Sequence, residues 1–327
     1  MSINWPRFAE IVRSHQRFLL VSHVRPDCDA LGSELGMAGV LELLGKSVRI
    51  VNGQATPPNL AFIDPNKRIG VIGQTVQPAE LADIEVLMVL DTSAWQQLGP
   101  MSDFIRAFQG KRIVVDHHMS ADDLGAELFK NVQAEATGRL VVEAAEALGV
   151  KLTPEIATPL FAAIATDTGW YRFSSASAVT YRTAAKLIDA GANPANIYRD
   201  LYEQDTLGRV RLRGVILSRV TTELGGRLAH TYVLKEDFTQ TGSLPSDTED
   251  VINMALAIKG TETAVIFVEQ ASGGFKISFR SRSALDCSQL AEKFGGGGHK
   301  AAAGASLQGT LAEVQPVVLD AVRTAMG

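Results

Sequence analysis

The sequence predicts an α/β fold in which a domain built on a parallel sheet precedes a smaller α+β domain, with a cleft between the two. Continuous apolar runs in the first half, such as residues 18–21 and 86–90, are separated by helical stretches. This pattern is typical of parallel strands covered by helices on both faces. The second half alternates short strands and helices around glycine turns. The length of 327 residues suits two domains.

The elements of the first domain follow from apolar runs and helical spacing. A strand at 18–21 leads into a helix in which leucines recur from Leu31 to Leu44, and Gly45 stands where that helix would end. Further strands are expected at 47–51, 86–90 and 111–115, a loop at 55–66, and helices at 135–148, 154–166 and 178–190.

The boundary between the domains is marked by turn residues. Asn193-Pro194 closes the first domain, and Gly225-Gly226 forms a hairpin turn early in the second. We therefore expect a first domain over 1–192, a connector over 193–219 that is one polar, arginine-rich helix from about residue 196, and a second domain over 220–327. The elements expected in the second domain are strands at 264–270 and 275–279 and helices at 247–258, 287–294 and 311–325.

Charge and cysteine content limit the partners and the compartment. A formal charge of −5 argues against long nucleic acid held by bulk electrostatics, but leaves small anionic substrates open. Cys28 and Cys287 are far apart in sequence and form no disulfide framework, which favours a reducing, cytoplasmic compartment. Residues 1–15 lack a signal-peptide core and no apolar run is long enough to span a bilayer, so no membrane partner is expected.

The first candidate site lies in residues 22–33, between the strand at 18–21 and the following helix. It contains His23, Asp27 and Asp29. In an open α/β sheet such a turn is where ligands bind. The two aspartates could instead cap the helix, although a cap needs one aspartate and no histidine. Taken alone, the stretch leaves a cap and a metal site about equally favoured.

Other predicted elements also end in potential metal ligands. These are Asp91 after strand 86–90, then Asp116, His117 and His118 after strand 111–115, and Asp167 at the end of helix 154–166. The carboxyl ends of parallel strands meet at one edge of a sheet, so these groups are expected to converge. Turn chemistry explains each aspartate singly. It does not explain why four of the six histidines fall in candidate site stretches: His23, His117 and His118 in the first domain and His299 in the second.

The donor set indicates the chemistry. Histidine and carboxylate ligands without thiolate suit Mn²⁺, with Mg²⁺ or Co²⁺ as alternatives, better than structural zinc. More than four such ligands indicate two ions, about 3.5–4 Å apart in phosphoryl-transfer sites. Because such a pair can activate a water and stabilise attacking and leaving oxygens, hydrolysis of a phosphoester is the expected reaction.

The second domain carries a candidate phosphate-binding segment. Four glycines at 295–298 precede His299, and Gly296, Gly297 and Gly298 can bring backbone N–H groups close to an anion. Arg280 and Arg282 alternate on a strand end and share a face, and arginine suits bidentate contact with phosphate. A solvated strand edge is the other interpretation, and it is favoured more for Arg282 than for Arg280.

These motifs together resemble those of the DHH phosphoesterase superfamily. The matching residues are His23-x-x-x-Asp27-x-Asp29, Asp91, Asp116-His117-His118 and Asp167, in that order. The segments at 278–282 and 295–304 are similar to the superfamily's associated C-terminal domain. Within the superfamily the chain resembles the nano-RNase and 3′-phosphoadenosine-5′-phosphate phosphatase type, and the resemblance spans nearly the whole sequence.

The resemblance implies a role for each site residue. One metal ion would be held by His23, Asp27 and Asp91, and the other by Asp29, Asp91, His117 and Asp167, so that Asp91 bridges the two. Asp116 would orient His117, and His118 would face the scissile phosphate. The second domain would hold the far end of the substrate through Arg280, Arg282, Gly296, Gly297, Gly298 and His299.

The resemblance also implies a substrate class. We expect hydrolysis of short RNA or DNA oligonucleotides, including dinucleotides, to mononucleotides, and removal of phosphate from 3′-phosphoadenosine-5′-phosphate. A phosphodiesterase acting on cyclic di-AMP or its linear product is an alternative. A non-catalytic nucleotide sensor is another, although a sensor has no need of the full ligand set. The expected partners are short oligonucleotides and small nucleotides, and a homodimer is compatible with this.

Overall fold

The structure is a computed structural model that describes residues 3–119 and 122–327. The described chain divides into two compact units, of which the first runs to Glu203 and the second begins at Gln204. Each unit contains its own sheet and its own buried core. Within the described ranges, no helix is both long and apolar enough to cross a membrane.

Among the described residues of the first unit, six strands form one sheet. They are β1 (Arg17–Val21), β2 (Ser47–Asn52), β3 (Ile69–Val71), β4 (Val86–Leu90), β5 (Lys111–Asp116) and β6 (Glu127–Lys130). Neighbouring strands pair in parallel in the order β3-β2-β1-β4-β5-β6, which confirms the predicted parallel sheet. The chain order reverses between β1 and β4, and a crevice opens at the carboxyl ends of strands at such a switch point.

Helices cover both faces of this sheet. They are α1 (Trp5–Ser14), α2 (Cys28–Leu43), α3 (Trp95–Leu98), α4 (Met101–Ala107), α5 (Thr137–Leu148), α6 (Pro154–Asp167), α7 (Ala178–Asp189) and α8 (Pro194–Tyr202). One face buries alternate strand residues such as Phe18 and Met88 beneath α1, α2, α5 and α6. The other face buries residues such as Leu19 and Leu87 against α3 and α4. This is why the strands read as continuous apolar runs.

Helices α2 and α6 pack closely because α2 presents glycines to its partner. A Cβ on Gly32 would clash with the carbonyl oxygen of Pro159 and lie 2.9 Å from the Cβ of Ala163. Gly36 and Gly39 face Leu160 and Ile156 in the same way. Asp29 lies in α2 and Asp167 in α6, so this close contact determines the distance between the two side chains.

The second unit is built on a mixed sheet. Its strands are β7 (Thr221–Glu223), β8 (Leu228–Val233), β9 (Thr263–Glu269), β10 (Phe275–Ser281), β11 (Gly297–His299) and β12 (Ala302–Leu307). Its helices are α9 (Leu207–Ser218), α10 (Lys235–Thr241), α11 (Val251–Leu256), α12 (Cys287–Glu292) and α13 (Leu311–Met326). The strand order is β11-β12-β10-β9-β8-β7, with β8 and β9 parallel and the other pairs antiparallel. An α+β second unit was predicted.

The two faces of this second sheet are covered differently. One face packs against α12 and α13 over its width, through residues such as Phe279 and Val318. The opposite face packs against α9 and α11 at β8 and β9. Beyond those strands, the same face of β10 and β12 is half-buried or exposed, as at Ser278 and Ala302.

Two helix predictions are wrong in detail. The connector is not one helix from 196 to 219, because α8 ends at Tyr202 and α9 begins at Leu207 with Thr206 as its N-cap. The helix expected at 247–258 is shorter and follows a 3₁₀ turn at Pro245–Thr248, since Asp250 adopts a left-handed φ of 67° that interrupts a helix.

Several elements were not predicted from the sequence, of which the ten-residue helix α1 is the longest. A 3₁₀ helix, Pro58–Ile63, occupies the expected loop at 55–66. Strands β3 and β6 were also missed, because they are three and four residues long and lack a sustained apolar pattern.

We expect Gly32→Ala to destabilise the protein by about 1–3 kcal/mol, because an added methyl group has no space between α2 and α6. Gly214→Ala is the matched control, since Gly214 lies in α9 with no atom near its would-be Cβ. The control should gain about 1 kcal/mol from helix propensity. Urea unfolding of both variants tests this, and equal effects would contradict the close α2–α6 contact.

Candidate functional site

The predicted metal-binding side chains lie at the carboxyl ends of adjacent strands. His23 comes two residues after β1, Asp91 directly after β4, and His117 directly after β5. Since β1 pairs with β4 and β4 with β5, the three side chains lie side by side at one edge of the sheet. The sequence predicted that these groups converge at one edge of the sheet, and this edge includes the switch point between β1 and β4.

Asp27 and Asp29 have different roles, although both lie at the start of α2. Asp27 caps its own helix, where its Oδ1 accepts hydrogen bonds from the N–H groups of Asp29 and Ala30 at 3.0 Å. The Asp29 carboxylate instead accepts from the N–H groups of Thr137 at 2.7 Å and Gly138 at 2.8 Å. Asp29 therefore caps α5 and not its own helix. Asp27 does cap its own helix, and its carboxylate also lies beside His23.

Asp91 lies between two histidines. Its Oδ2 is 3.4 Å from Nε2 of His23 and its Oδ1 is 3.5 Å from Nε2 of His117. The side chain is 2% exposed, and the hydroxyl of Thr137 donates a 2.9 Å hydrogen bond to Oδ1. Its backbone has a φ of 63°, a left-handed conformation that commonly marks a functional turn. Each oxygen of Asp91 thus faces a different group of ligands.

The second group of ligands surrounds His117. Its Nδ1 is hydrogen-bonded to the carbonyl oxygen of Ala134 at 3.2 Å, which leaves Nε2 as the acceptor nitrogen. Nε2 lies 3.5–3.7 Å from carboxylate oxygens of Asp29, Asp91 and Asp167. It is buried and, within the described part of the chain, has no hydrogen-bond partner.

This spacing fits a divalent cation. Two ligand atoms that each lie about 2.1 Å from one ion are about 3–4 Å apart. Three sets of donor atoms lie within 4.8 Å of one another in the described residues: His23, Asp27 and Asp91; Asp29, His117 and Asp167; and Asp91, His117 and His118. The orphaned Nε2 of His117 and these oxygen-rich sets are therefore suited to metal ions.

The electrostatics of the site support the same interpretation. Burial, and then the charge of Asp29, raise the pKa of Asp91 well above its usual value. Burial also raises the pKa of Asp29, and it raises that of Asp167 to about 7. Buried carboxylates that repel one another need a cation to stay ionised.

Asp116 holds His118 and not His117, so that part of the expected arrangement is wrong. Its Oδ1 accepts from the His118 N–H at 3.0 Å and lies 2.9 Å from the His118 Nδ1. Residues two apart on a strand end point the same way, which directs Asp116 toward His118. Ser93 donates to Oδ2 at 2.7 Å, and the Lys130 ammonium lies 3.0 Å from it.

These contacts define the charge on the Asp116–His118 pair. Burial opposes ionisation of Asp116, but hydrogen bonds from His118, Ser93 and Lys130 hold its pKa well below the usual value. The hydrogen bond to Asp116 in turn raises the pKa of His118. Nδ1 of the half-exposed His118 ring is engaged, whereas its Nε2 forms no hydrogen bond with a described residue.

Sequence reasoning missed the residues that hold the ligands in place. Thr137 donates hydrogen bonds to Asp29 and Asp91, and Gly138 donates one to Asp29. The Ala134 carbonyl oxygen is hydrogen-bonded to His117. Ser93 and Lys130 contact Asp116. The hydrogen bonds to Asp29 join residues more than 100 positions apart in sequence, so no local sequence pattern predicts them.

In the second unit, Arg280 and His299 share one face of the sheet. Arg280 pairs with Ala302 on β12, and Ala302 pairs with His299 on β11. Side chains of directly paired residues point to the same face, so the methyl group of Ala302 lies between the two. Arg282 is exposed beyond the end of β10.

The prediction that the glycine loop presents an open row of N–H donors is wrong. The N–H groups of Gly295 and Gly296 donate to carbonyl oxygens at the end of α12, and Gly297 and Gly298 belong to β11. Glycine is required here by space, since a Cβ on Gly298 would lie 2.6 Å from the Ala302 carbonyl oxygen. The segment therefore serves to bring His299 onto the sheet.

Comparison with known families identifies the two halves of the chain. The model described as DHH family, N-terminal domain matches residues 17–164, and the DHHA1 domain model matches residues 225–327. The chain belongs to the DHH family. The DHH match includes His23, Asp91 and His117 and the strands that precede them.

Relatives of this DHH-family chain match it over most of its length. A Thermus thermophilus protein named bifunctional oligoribonuclease and PAP phosphatase NrnA is 32% identical over 93% of this chain and 88% of its own. A Bacillus subtilis protein of the same name is 27% identical over 91% and 92%. The crystal structure of an exopolyphosphatase-related protein from Bacteroides fragilis has a TM-score of 0.86 and 28% identity, covering 98% of this chain and 95% of that one.

A buried polar network supports the first strand of the DHH unit just before His23. The Asn52 side chain accepts from the Ser22 N–H at 2.8 Å and donates to Oε2 of Glu34 at 2.9 Å. Glu34 is fully buried, and this burial raises its pKa to about 8. The network fixes the backbone directly after β1, where the candidate metal-binding residues begin.

We expect Glu34→Gln to cost less than about 1 kcal/mol and Glu34→Leu to cost about 1–3 kcal/mol, because leucine leaves the buried Asn52 amide unpaired. The folded state binds the Glu34 proton more tightly than the unfolded state, so wild-type stability falls relative to Glu34→Gln between pH 4.5 and about 8. Thermal unfolding across this range measures the difference, and parallel profiles would show that Glu34 ionises normally.

Proposed function

We propose that this DHH-family chain is a metal-dependent phosphoesterase that hydrolyses short oligonucleotides to mononucleotides and removes phosphate from 3′-phosphoadenosine-5′-phosphate. The observation that carries the proposal is the position of Asp91, with one oxygen facing His23 and the other facing His117. Relatives named as enzymes of both activities match the chain over most of its length, which supports the substrate class.

Two ions would be held by the residues that converge on Asp91. His23, Asp27 and Asp91 would bind one, and Asp29, Asp91, His117 and Asp167 would bind the other. Imidazole and carboxylate donors without thiolate favour Mn²⁺, with Mg²⁺ or Co²⁺ as alternatives. When bound, such ions lower the pKa of water and offset phosphate charge.

The chain's own residues complete the chemistry around that centre. Asp116 anchors the His118 ring, so its outer nitrogen can donate a hydrogen bond to a phosphate oxygen. The Asp116 contacts to Ser93 and Lys130 keep this ring from rotating away. Asp29 stays fixed because the α5 N–H groups bind both of its oxygens.

The second unit would hold the part of the substrate that is not cleaved. Arg280 and His299 lie on one open sheet face, and Arg280 has no carboxylate partner within the described residues. Arg282 would belong to the same substrate-binding set, and the glycines at 296–298 would contribute to it by placing His299 on that face. The convergence of a full ligand set favours an enzyme over a nucleotide sensor. A cytoplasmic location and a homodimer stay predictions from the sequence.

Turnover assays with Mn²⁺ test this function directly. We expect hydrolysis of a dinucleotide and of 3′-phosphoadenosine-5′-phosphate, little hydrolysis of cyclic di-AMP, and loss of both activities on chelation. Asp91→Asn should lower the rate more than about 100-fold, because a neutral amide cannot offset two cations.

Asp103→Asn, an exposed carboxylate of the same unit, is the control and should behave as wild type. Mn²⁺ binding measured by calorimetry should weaken in parallel for Asp91→Asn. Full activity of chelated protein would overturn the metal dependence, and turnover of cyclic di-AMP alone would replace the proposed substrate class.

Arg280→Ala should separate binding from cleavage. Loss of a charge-assisted hydrogen bond is expected to lower kcat/KM on a dinucleotide by about 10–100-fold. A small chromogenic phosphodiester has no second nucleotide for Arg280 to bind and should be hydrolysed nearly as before. Steady-state kinetics on both substrates checks this, and equal losses would place Arg280 in folding or in the chemical step.

A further inference from the structure

A cavity of about 310 Å³ lies in the second unit beside Arg280. It opens where the α11 side of the sheet changes from covered to uncovered, between the segment at 248–252 and strands β9 and β10. Its volume is at the lower end of the range of about 300–1,000 Å³ that small-molecule sites occupy. None of the residues so far assigned to the metal centre contributes to it.

The floor of the cavity is apolar and regular. Ile266 and Val268 of β9 point to this face, next to their paired residues Ser278 and Lys276 of β10. Ile252 of α11 closes one side, and all three apolar residues are buried. A planar ring can lie on such a floor with its faces in contact and its edge at the rim.

The rim carries charges of both signs. Lys276 and Arg280 line one side, and Glu249 and Asp250 line the other. A simple anion would be repelled by the two carboxylates, and a simple cation by the two basic groups. A ligand that carries N–H donors on a flat ring and a phosphate at its other end satisfies both sides of the rim.

Glu249 is the rim residue best placed to accept from such a ring. Asp250 already accepts a 3.2 Å hydrogen bond from the Asn253 side chain. The Glu249 side chain forms no hydrogen bond or ion pair with any described residue, and it is exposed. Its acceptor oxygens are thus available to an entering ligand.

We propose that this cavity receives the nucleobase of the nucleotide whose phosphate lies at Arg280 and His299, and that Glu249 selects bases with an exocyclic amino group. The proposal rests on the proposed function for the presence of a nucleotide. Adenine, cytosine and guanine carry an amino donor, whereas the exocyclic groups of uracil are acceptors that a carboxylate repels. The site would therefore favour adenine over uracil.

Calorimetric titration with AMP and with UMP tests the pocket without requiring turnover. In the wild-type chain with Mn²⁺, we expect AMP to bind at least about tenfold more tightly than UMP, the scale of one charge-assisted hydrogen bond. In Glu249→Gln the difference should fall below about twofold, through weaker AMP binding. Glu236→Gln, at an exposed position on α10, is the matched control and should keep the wild-type ratio.

Equal binding of AMP and UMP to the wild-type chain, or an unchanged ratio in Glu249→Gln, would overturn the pocket. In a second variant, Ser278→Phe, the added ring fills the cavity from β10 and should weaken the binding of both AMP and UMP. A small chromogenic phosphodiester measured on the same samples reports the proposed function separately. Hydrolysis without base discrimination contradicts the pocket alone, whereas discrimination without hydrolysis contradicts the proposed function alone.

Discussion

The buried carboxylate of Asp91 is the constraint on which the rest of the first unit depends. An ionised group that is 2% exposed is unstable unless it is paired, and Asp29 and Asp27 add further negative charge nearby. Nε2 of His23 and Nε2 of His117 lie 3.4 and 3.5 Å from its two oxygens, and neither forms a hydrogen bond with Asp91. The arrangement is therefore favourable when cations occupy the space between these groups, and the surrounding fold keeps that space open.

The fold supplies this geometry through rigid, non-local contacts. Parallel pairing of β1, β4 and β5 brings three turns to one edge, and the switch point leaves room above them. The glycine face of α2 allows α6 to approach, and carboxylate oxygens of Asp29 and Asp167 lie 3.7 and 3.6 Å from Nε2 of His117. The first turn of α5 then binds Asp29 with two N–H groups, so each ligand is held by a different element.

Much of the candidate site could be predicted because its proposed metal ligands lie in short motifs at strand ends. The parallel sheet and the residues His23, Asp91 and His117 follow from apolar runs that end in acidic or histidine residues. Three features could not be predicted: the role of Thr137, the short strand β6 that contains Lys130, and the hydrogen bond between Asp116 and His118. They depend on pairings between distant segments, and residues such as Thr137 have no special sequence context. The prediction for the glycine loop was wrong because the N–H groups of Gly295 and Gly296 bond to the end of α12 and the next two glycines belong to β11, which the sequence does not show.

The most direct test of the central claim is anomalous diffraction from crystals grown with Mn²⁺. Data collected at the manganese edge should show two peaks, one on each side of the Asp91 carboxylate. One peak should lie next to Nε2 of His23 and the other next to Nε2 of His117. A single peak, or peaks that do not contact Asp91, would contradict the account of a bridged pair of ions.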